Sequence, residues 1–265
     1  MNKDLKQINN FKGREKIQQY SNEFPLPRER CGKAAFTLAE VLITLGIIGV
    51  VAAMTLPVLI QKHQKKVTVT KLKKAYTTIA NAFNMAAAEH GNIDGILPIG
   101  AKVVAEDVKS FFNDYLFKYL SNPTMLSASY YPSQCSGGSG YQIYYLHKND
   151  CLPQSVVTNY SLGRILFSTT SGDEVAYYII VMAYDNSNSN PIAQYAQNYT
   201  LLIDINGNKK PNQFGKDVFR FRIYPATNSI RPYSNGSDCK IDSIGFSCAA
   251  KIINDGWEIK DDYPW

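Results

Sequence analysis

One carboxylate stands alone in the longest apolar stretch of the chain. Glu40 is the only ionisable residue between Phe36 and Ile60 (FTLAEVLITLGIIGVVAAMTLPVLI). A helix of that length reaches roughly 37 Å, enough to cross a bilayer core of about 30 Å. A charge inside lipid is costly unless it is paired, so Glu40 marks a functional position whose cationic partner has to be found. A plain anchor or the apolar core of a cleaved signal peptide has no use for it. Two other sets of residues have chemical potential. Cys135, Cys151, Cys239 and Cys248 follow the apolar stretch, and their even number predicts two disulfides in an exported domain. Four cysteines allow three connectivities, of which the two local loops, Cys135–Cys151 and Cys239–Cys248, are preferred here. Zinc is the rival reading, but no CxxC pair occurs and His63, His90 and His147 are scattered. Asp204, Asn206 and Asp217 offer oxygens to calcium. Their segment lacks the acid count and closing Glu of an EF-hand loop, so a structural turn is the preferred reading. No nucleophile motif stands out, CSGGSG lacks the GK[ST] ending of a phosphate loop, and no cofactor is expected.

The block KAAFTLAEVLITLGIIGVVAAMTLP resembles the N-terminal signature of type IV pilins and type II secretion pseudopilins, the prepilin-type cleavage and methylation segment. In that family a polar leader ends at a small residue, Phe follows, and Glu is the fifth residue of the mature chain. Phe36 and Glu40 match that spacing. Ala35 takes the place of the usual Gly, and Gly49 and Pro57 fall where many pilins carry a helix Gly and a kinking Pro. The resemblance implies cleavage between Ala35 and Phe36 by a prepilin peptidase and N-methylation of Phe36. It implies no activity of the chain's own, since the chain is the substrate. Cleavage creates an α-amino group with a pKa near 8, largely positive at neutral pH. Glu40 lies about one helical turn further on, and the staggered N-terminus of a neighbouring copy is its expected partner. Glu40 would then fix assembly register, as a buried polar residue does in a coiled coil.

The family's architecture is α+β: a long N-terminal helix, half transmembrane and half amphipathic, packed on an antiparallel sheet in a head domain. The chain divides accordingly. Residues 1–35 form the cytoplasmic leader, 36–60 the membrane half of the helix, 61–90 its amphipathic half and 91–265 the extracytoplasmic head. Val69, Leu72, Tyr76, Ile79, Phe83 and Ala86 are spaced 3, 4, 3, 4, 3, a one-sided stripe, and His90-Gly91 supplies a stop. Glu106–Leu120 reads as a short amphipathic helix before Pro123. Strands are expected at Tyr141–Leu146, Arg164–Thr169, Val175–Tyr184, Tyr199–Ile205 and Val218–Tyr224, rich in Val, Ile, Tyr and Phe and bounded by turn residues. No helical pattern alternates with them, so the sheet should be antiparallel. DINGNKKPNQFGKDVFRF (204–221) is similar to a D-x-N-G…PN…G-x-D-x-F segment that joins two strands in many pilin-like proteins. Trp257 and Trp265 near the C-terminus predict docking onto the domain.

Charge gives the setting. The leader carries eight Lys/Arg and four acids, which favours a cytoplasmic N-terminus. The far flank is also basic (Lys62, Lys65, Lys66, Lys71, Lys73, Lys74), so the cysteines, oxidised outside the cytoplasm, decide the orientation. The net charge of +6 sits largely beside the span and requires no nucleic acid. The expected location is the inner membrane, single-pass, and then a filament. The expected partners are the peptidase, other pilins, an inner-membrane assembly platform and lipid before assembly. The competing class is an exported or anchored binding domain, for which Val51-Ala52-Ala53 offers small residues to ordinary signal peptidase.

Overall fold

The computed structural model describes residues 36–93, 96, 105–126, 142–147, 151, 161–171, 174–184, 200–207, 209–234 and 239–265. The leader, Ala35 and Cys135 lie outside these. The chain divides into two units, Met1–Ala52 and Ala53–Trp265. Helix α1 spans Leu38–His90 and runs through Pro57 without a break. In the first unit its side chains are exposed, with Leu42, Ile43 and Leu45 each 61% accessible. The helix is long and apolar enough to cross a membrane.

In the second unit the same helix changes character. Leu72, Ala75, Ile79, Ala82, Phe83 and Ala86 are buried, and Val69 and Tyr76 pack half-buried against the core. This is the predicted stripe, widened by two alanines that allow close approach. Gly91 ends the helix with φ +86° and donates its N–H to the Ala87 carbonyl at 2.9 Å, the left-handed stop that a Cβ would penalise.

The predicted helix over 106–120 exists, but its form differs. Helix α2 covers Ala105–Phe111, a π turn Phe112–Leu116 follows, and a 3₁₀ turn Phe117–Tyr119 closes it. The buried residues Val108, Phe112, Leu116 and Leu120 recur every four positions. That repeat exceeds the 3.6-residue turn of an α-helix, and a wider π turn keeps all four side chains on one face.

The sheet is a six-stranded antiparallel meander in the order β1-β2-β3-β4-β5-β6. The strands are β1 (Thr124–Met125), β2 (Ser161–Ser171), β3 (Glu174–Tyr184), β4 (Thr200–Asp204), β5 (Val218–Tyr224) and β6 (Ser229–Pro232). Every residue of β4 is buried, while β5 alternates: Phe219, Phe221 and Ile223 are buried, and Arg220, Arg222 and Tyr224 are half-exposed. Four expected strands match β2 to β5. The fifth does not. Residues 142–147 form isolated bridges, because their backbone partners are divided between two irregular segments. Tyr144 donates to the Asn212 carbonyl and accepts from Phe214, whereas Leu146 donates to Ile244. Gln213 completes the clamp, its side-chain amide reaching the carbonyls of Tyr145 and Leu146 at 2.9 and 3.0 Å.

A last helix, α3 (Cys248–Asn254), packs on the core through Cys248, Ala249 and Ile252. It ends in a Schellman motif: Gly256 N–H bonds to Ile253 and Trp257 N–H to Ile252, at 3.1 and 2.8 Å. Trp257 and Trp265 are half-buried against the core, so the C-terminus is docked as expected.

Candidate assembly and processing segment

Glu40 is exposed and has a partner within its own chain. Its Oε2 accepts from the Thr37 backbone N–H and from Thr37 Oγ1, both at 2.9 Å, while Glu40 N–H donates to Thr37 Oγ1 at 3.2 Å. This is a capping box, in which Thr37 and Glu40 satisfy each other's otherwise orphaned groups at the start of α1. The reciprocal bond was not foreseen, although the T-x-x-E spelling of residues 37–40 was its signal. The box leaves Glu40 Oε1 without a hydrogen-bond partner among the described residues, and it keeps Phe36 ahead of the helix and 82% exposed. Gly49 is equally open, with no atom within 4 Å of where a Cβ would stand.

The cysteines divide between described and undescribed parts. Cys239 and Cys248 form a disulfide, as expected, bridging nine positions and tying the segment before α3 to its first residue. Cys151 is buried and itself disulfide-bonded. Cys135 lies outside the described residues.

Asp204, Asn206 and Asp217 meet in the β4–β5 connection, where each carboxylate organises backbone. Asp217 Oδ1 accepts from Gln213 N–H at 2.5 Å. Its Oδ2 accepts from Asn212 N–H at 2.8 Å and Asn206 Nδ2 at 3.0 Å. Asp204 Oδ1 accepts from Asn206 N–H at 3.0 Å. Burial outweighs these bonds and pushes the Asp217 carboxyl above its ordinary range. The pattern D-x-N-G…PN…G-x-D thereby acquires a physical reading. Asn212 and Gly207 take positive φ, Lys210–Pro211 is cis, and Gly215 (φ +80°) passes so close to α3 that a Cβ would lie 3.0 Å from Cys248 Sγ. The buried Tyr263 hydroxyl donates to the Gly215 carbonyl at 2.5 Å, and burial raises its pKa. The geometry is that of a structural turn. Among the described residues no group of three or more His, Cys, Asp or Glu is placed to hold a metal.

An apolar helix opening on Thr37–Glu40, followed by a sheet head of α+β type, defines a pilin-type precursor. Residues 30–56 match the prokaryotic N-terminal methylation motif, which carries the prepilin-type signal. Residues 58–265, most of the chain, match a family described as being of unknown function, DUF6613, and the chain belongs to that family. No curated protein and no solved structure gives a match.

Proposed function

We propose that this chain is a structural subunit of a type IV pilus-like or type II secretion filament. The observation that carries the reading is the methylation motif over residues 30–56, whose one charged residue in the apolar run is Glu40. The precursor waits in the inner membrane with residues 1–35 in the cytoplasm and the head outside. A prepilin peptidase cuts between Ala35 and Phe36, and Phe36 is methylated. An assembly platform then moves the span from lipid into a bundle of identical or related helices. Burial against those spans offsets the loss of lipid contact, and the new N-terminus of one copy neutralises Glu40 of another.

The capping box bears on this order of events. Before assembly Glu40 is occupied by Thr37, so the carboxylate is hydrogen-bonded while it waits. After cleavage its unused Oε1 remains able to take a partner's ammonium. The test is the N-terminal residue and mass of the mature protein from its host membrane. A chain starting at Phe36 with one added methyl group is the expected result. A soluble chain starting near Met54 would make it an exported binding domain and remove the role given to Glu40.

A further inference from the structure

Where the apolar run ends, α1 and the C-terminal segment enclose an open groove of about 740 Å³, within the range of small-molecule clefts. Lys62, Lys65 and Lys66 line it from the helix, and Glu258 and Asp261 line it from the segment after α3. Trp257 joins the two sets. Among the described residues none of these five charged groups takes an ion-pair partner. The groove therefore presents cations on the helix and anions on the C-terminal segment, unneutralised, around an apolar lining that includes Leu59 and Ile259.

The C-terminal part of this lining is held in a rare backbone state. Trp257 has φ +63°, a conformation that bulky L-residues avoid. The Schellman motif that ends α3 accounts for the left-handed Gly256 (φ +82°), and Trp257 follows it in the same region. The indole lies beside Tyr76, with ring centroids 5.7 Å apart, and beside Lys73, whose Nζ lies 5.7 Å from the ring. Strain of this kind persists where the surroundings fix it, and it is a pointer to function. Glu258, the next residue, lines the same groove as the lysines.

We infer that the groove holds the headgroup of a phospholipid of the ethanolamine class. The lipid phosphate lies against Lys62, Lys65 and Lys66, and its primary ammonium donates hydrogen bonds to Glu258 and Asp261. Leu56, Val58 and Ile60, each more than half exposed, continue the helix surface from Leu59 beyond the groove and receive the acyl chains. Charge complementarity selects this headgroup. A purely anionic lipid sets its charge against Glu258 and Asp261, and a quaternary ammonium has no N–H for the carboxylates. The inference rests on the membrane-resident precursor proposed above, and gives that waiting state a specific lipid.

The experiment uses the full chain reconstituted in vesicles of equal parts phosphatidylethanolamine, phosphatidylglycerol and phosphatidylcholine. Vesicle flotation is followed by native mass spectrometry of the lipid that stays bound. The expected result is phosphatidylethanolamine retained at least several-fold over either competitor. Glu258→Gln with Asp261→Asn, both at exposed positions, should move the preference to phosphatidylglycerol. Lys62→Gln, Lys65→Gln and Lys66→Gln together should abolish retention. Preference for phosphatidylglycerol by the unaltered chain would reduce the groove to a plain cationic belt and overturn the proposal. So would equal retention of all three lipids, a preference unmoved by the carboxylate variants, or a lipid-free chain paired with a second copy. Any of these in a chain that floats with the vesicles leaves the filament reading standing; a chain that does not float overturns both.

Discussion

Replacing Glu40 by Gln separates the two roles of this residue. Glu40 Oε2 alone accepts both Thr37 donors, so a Gln carbonyl oxygen can take its place in the capping box, which accommodates either residue. What the cap loses is the attraction of a negative charge to the helix start, which solvent screens at this exposed position. In a filament the loss is larger. Removing one member of a buried ion pair leaves the neighbour's ammonium uncompensated, which costs about 3–5 kcal/mol. At about 1.4 kcal/mol per tenfold, subunit association should fall about 10²- to 10⁴-fold. Thr37→Val is the converse change. It keeps the charge, deletes the hydroxyl and costs the helix start about 1 kcal/mol, so assembly should fall by less than tenfold. The assay compares filaments sheared from the host surface with the pool in the membrane, by immunoblot, for both variants. Glu40→Gln should accumulate in the membrane and be absent from the sheared fraction. Glu40→Gln filaments within tenfold of the unaltered level would refute the charge argument. Thr37→Val as severe as Glu40→Gln would transfer the role to the cap.

Two further perturbations act on the head. Gly245 has φ +92°, and a Cβ there would stand 2.8 Å from Leu146 Cβ. Gly245→Ala therefore combines left-handed strain with overpacking, and should lower stability on the order of 3 kcal/mol in a urea titration. Asp217→Asn replaces an oxygen facing N–H donors by an amide NH₂, and should cost about 1–3 kcal/mol for each donor left unpaired. The pH dependence has a definite sign. Because burial raises the folded pKa of Asp217, its contribution is fully present below the unfolded value of about 4 and is lost as pH rises through the folded value. The urea midpoint should carry a component that falls over that window, and Asp217→Asn should lack it.

The long helix and its end were legible because one residue type dominates each decision. Apolar spacing of 3 and 4 defines the buried stripe, and Gly91 permits the stop. Strands β2 to β5 were legible because long Val/Ile/Phe/Tyr runs lie between turn residues. Residues 142–147 carry the same aromatic content, but a strand exists only if a ladder partner exists. Theirs are split between the 212–214 turn and Ile244, far along the chain, so no continuous ladder forms. The two short strands, β1 and β6, were invisible because two or four residues give no periodicity. At Glu40 the sequence exposed the need for a partner through the cost of a charge in apolar surroundings. The nearer partner, Thr37, was spelled in the same four letters and overlooked. The groove at Trp257 had no sequence signature, since it depends on a left-handed Trp and on segments about 190 residues apart meeting beside the helix.

Among the described residues the meander ends on β1 and β6, and both of these end strands are poor templates for a further strand. β1 is two residues long and follows Pro123, while β6 carries Arg231 and ends at Pro232. Proline offers no ladder donor, charge resists stacking, and a short strand gives little length to copy. Unblunted borders would let heads join sideways into ribbons, drawing subunits out of line and stalling growth. In the filament proposed above, end strands that pair poorly would favour addition of subunits along one axis over sideways joining of heads.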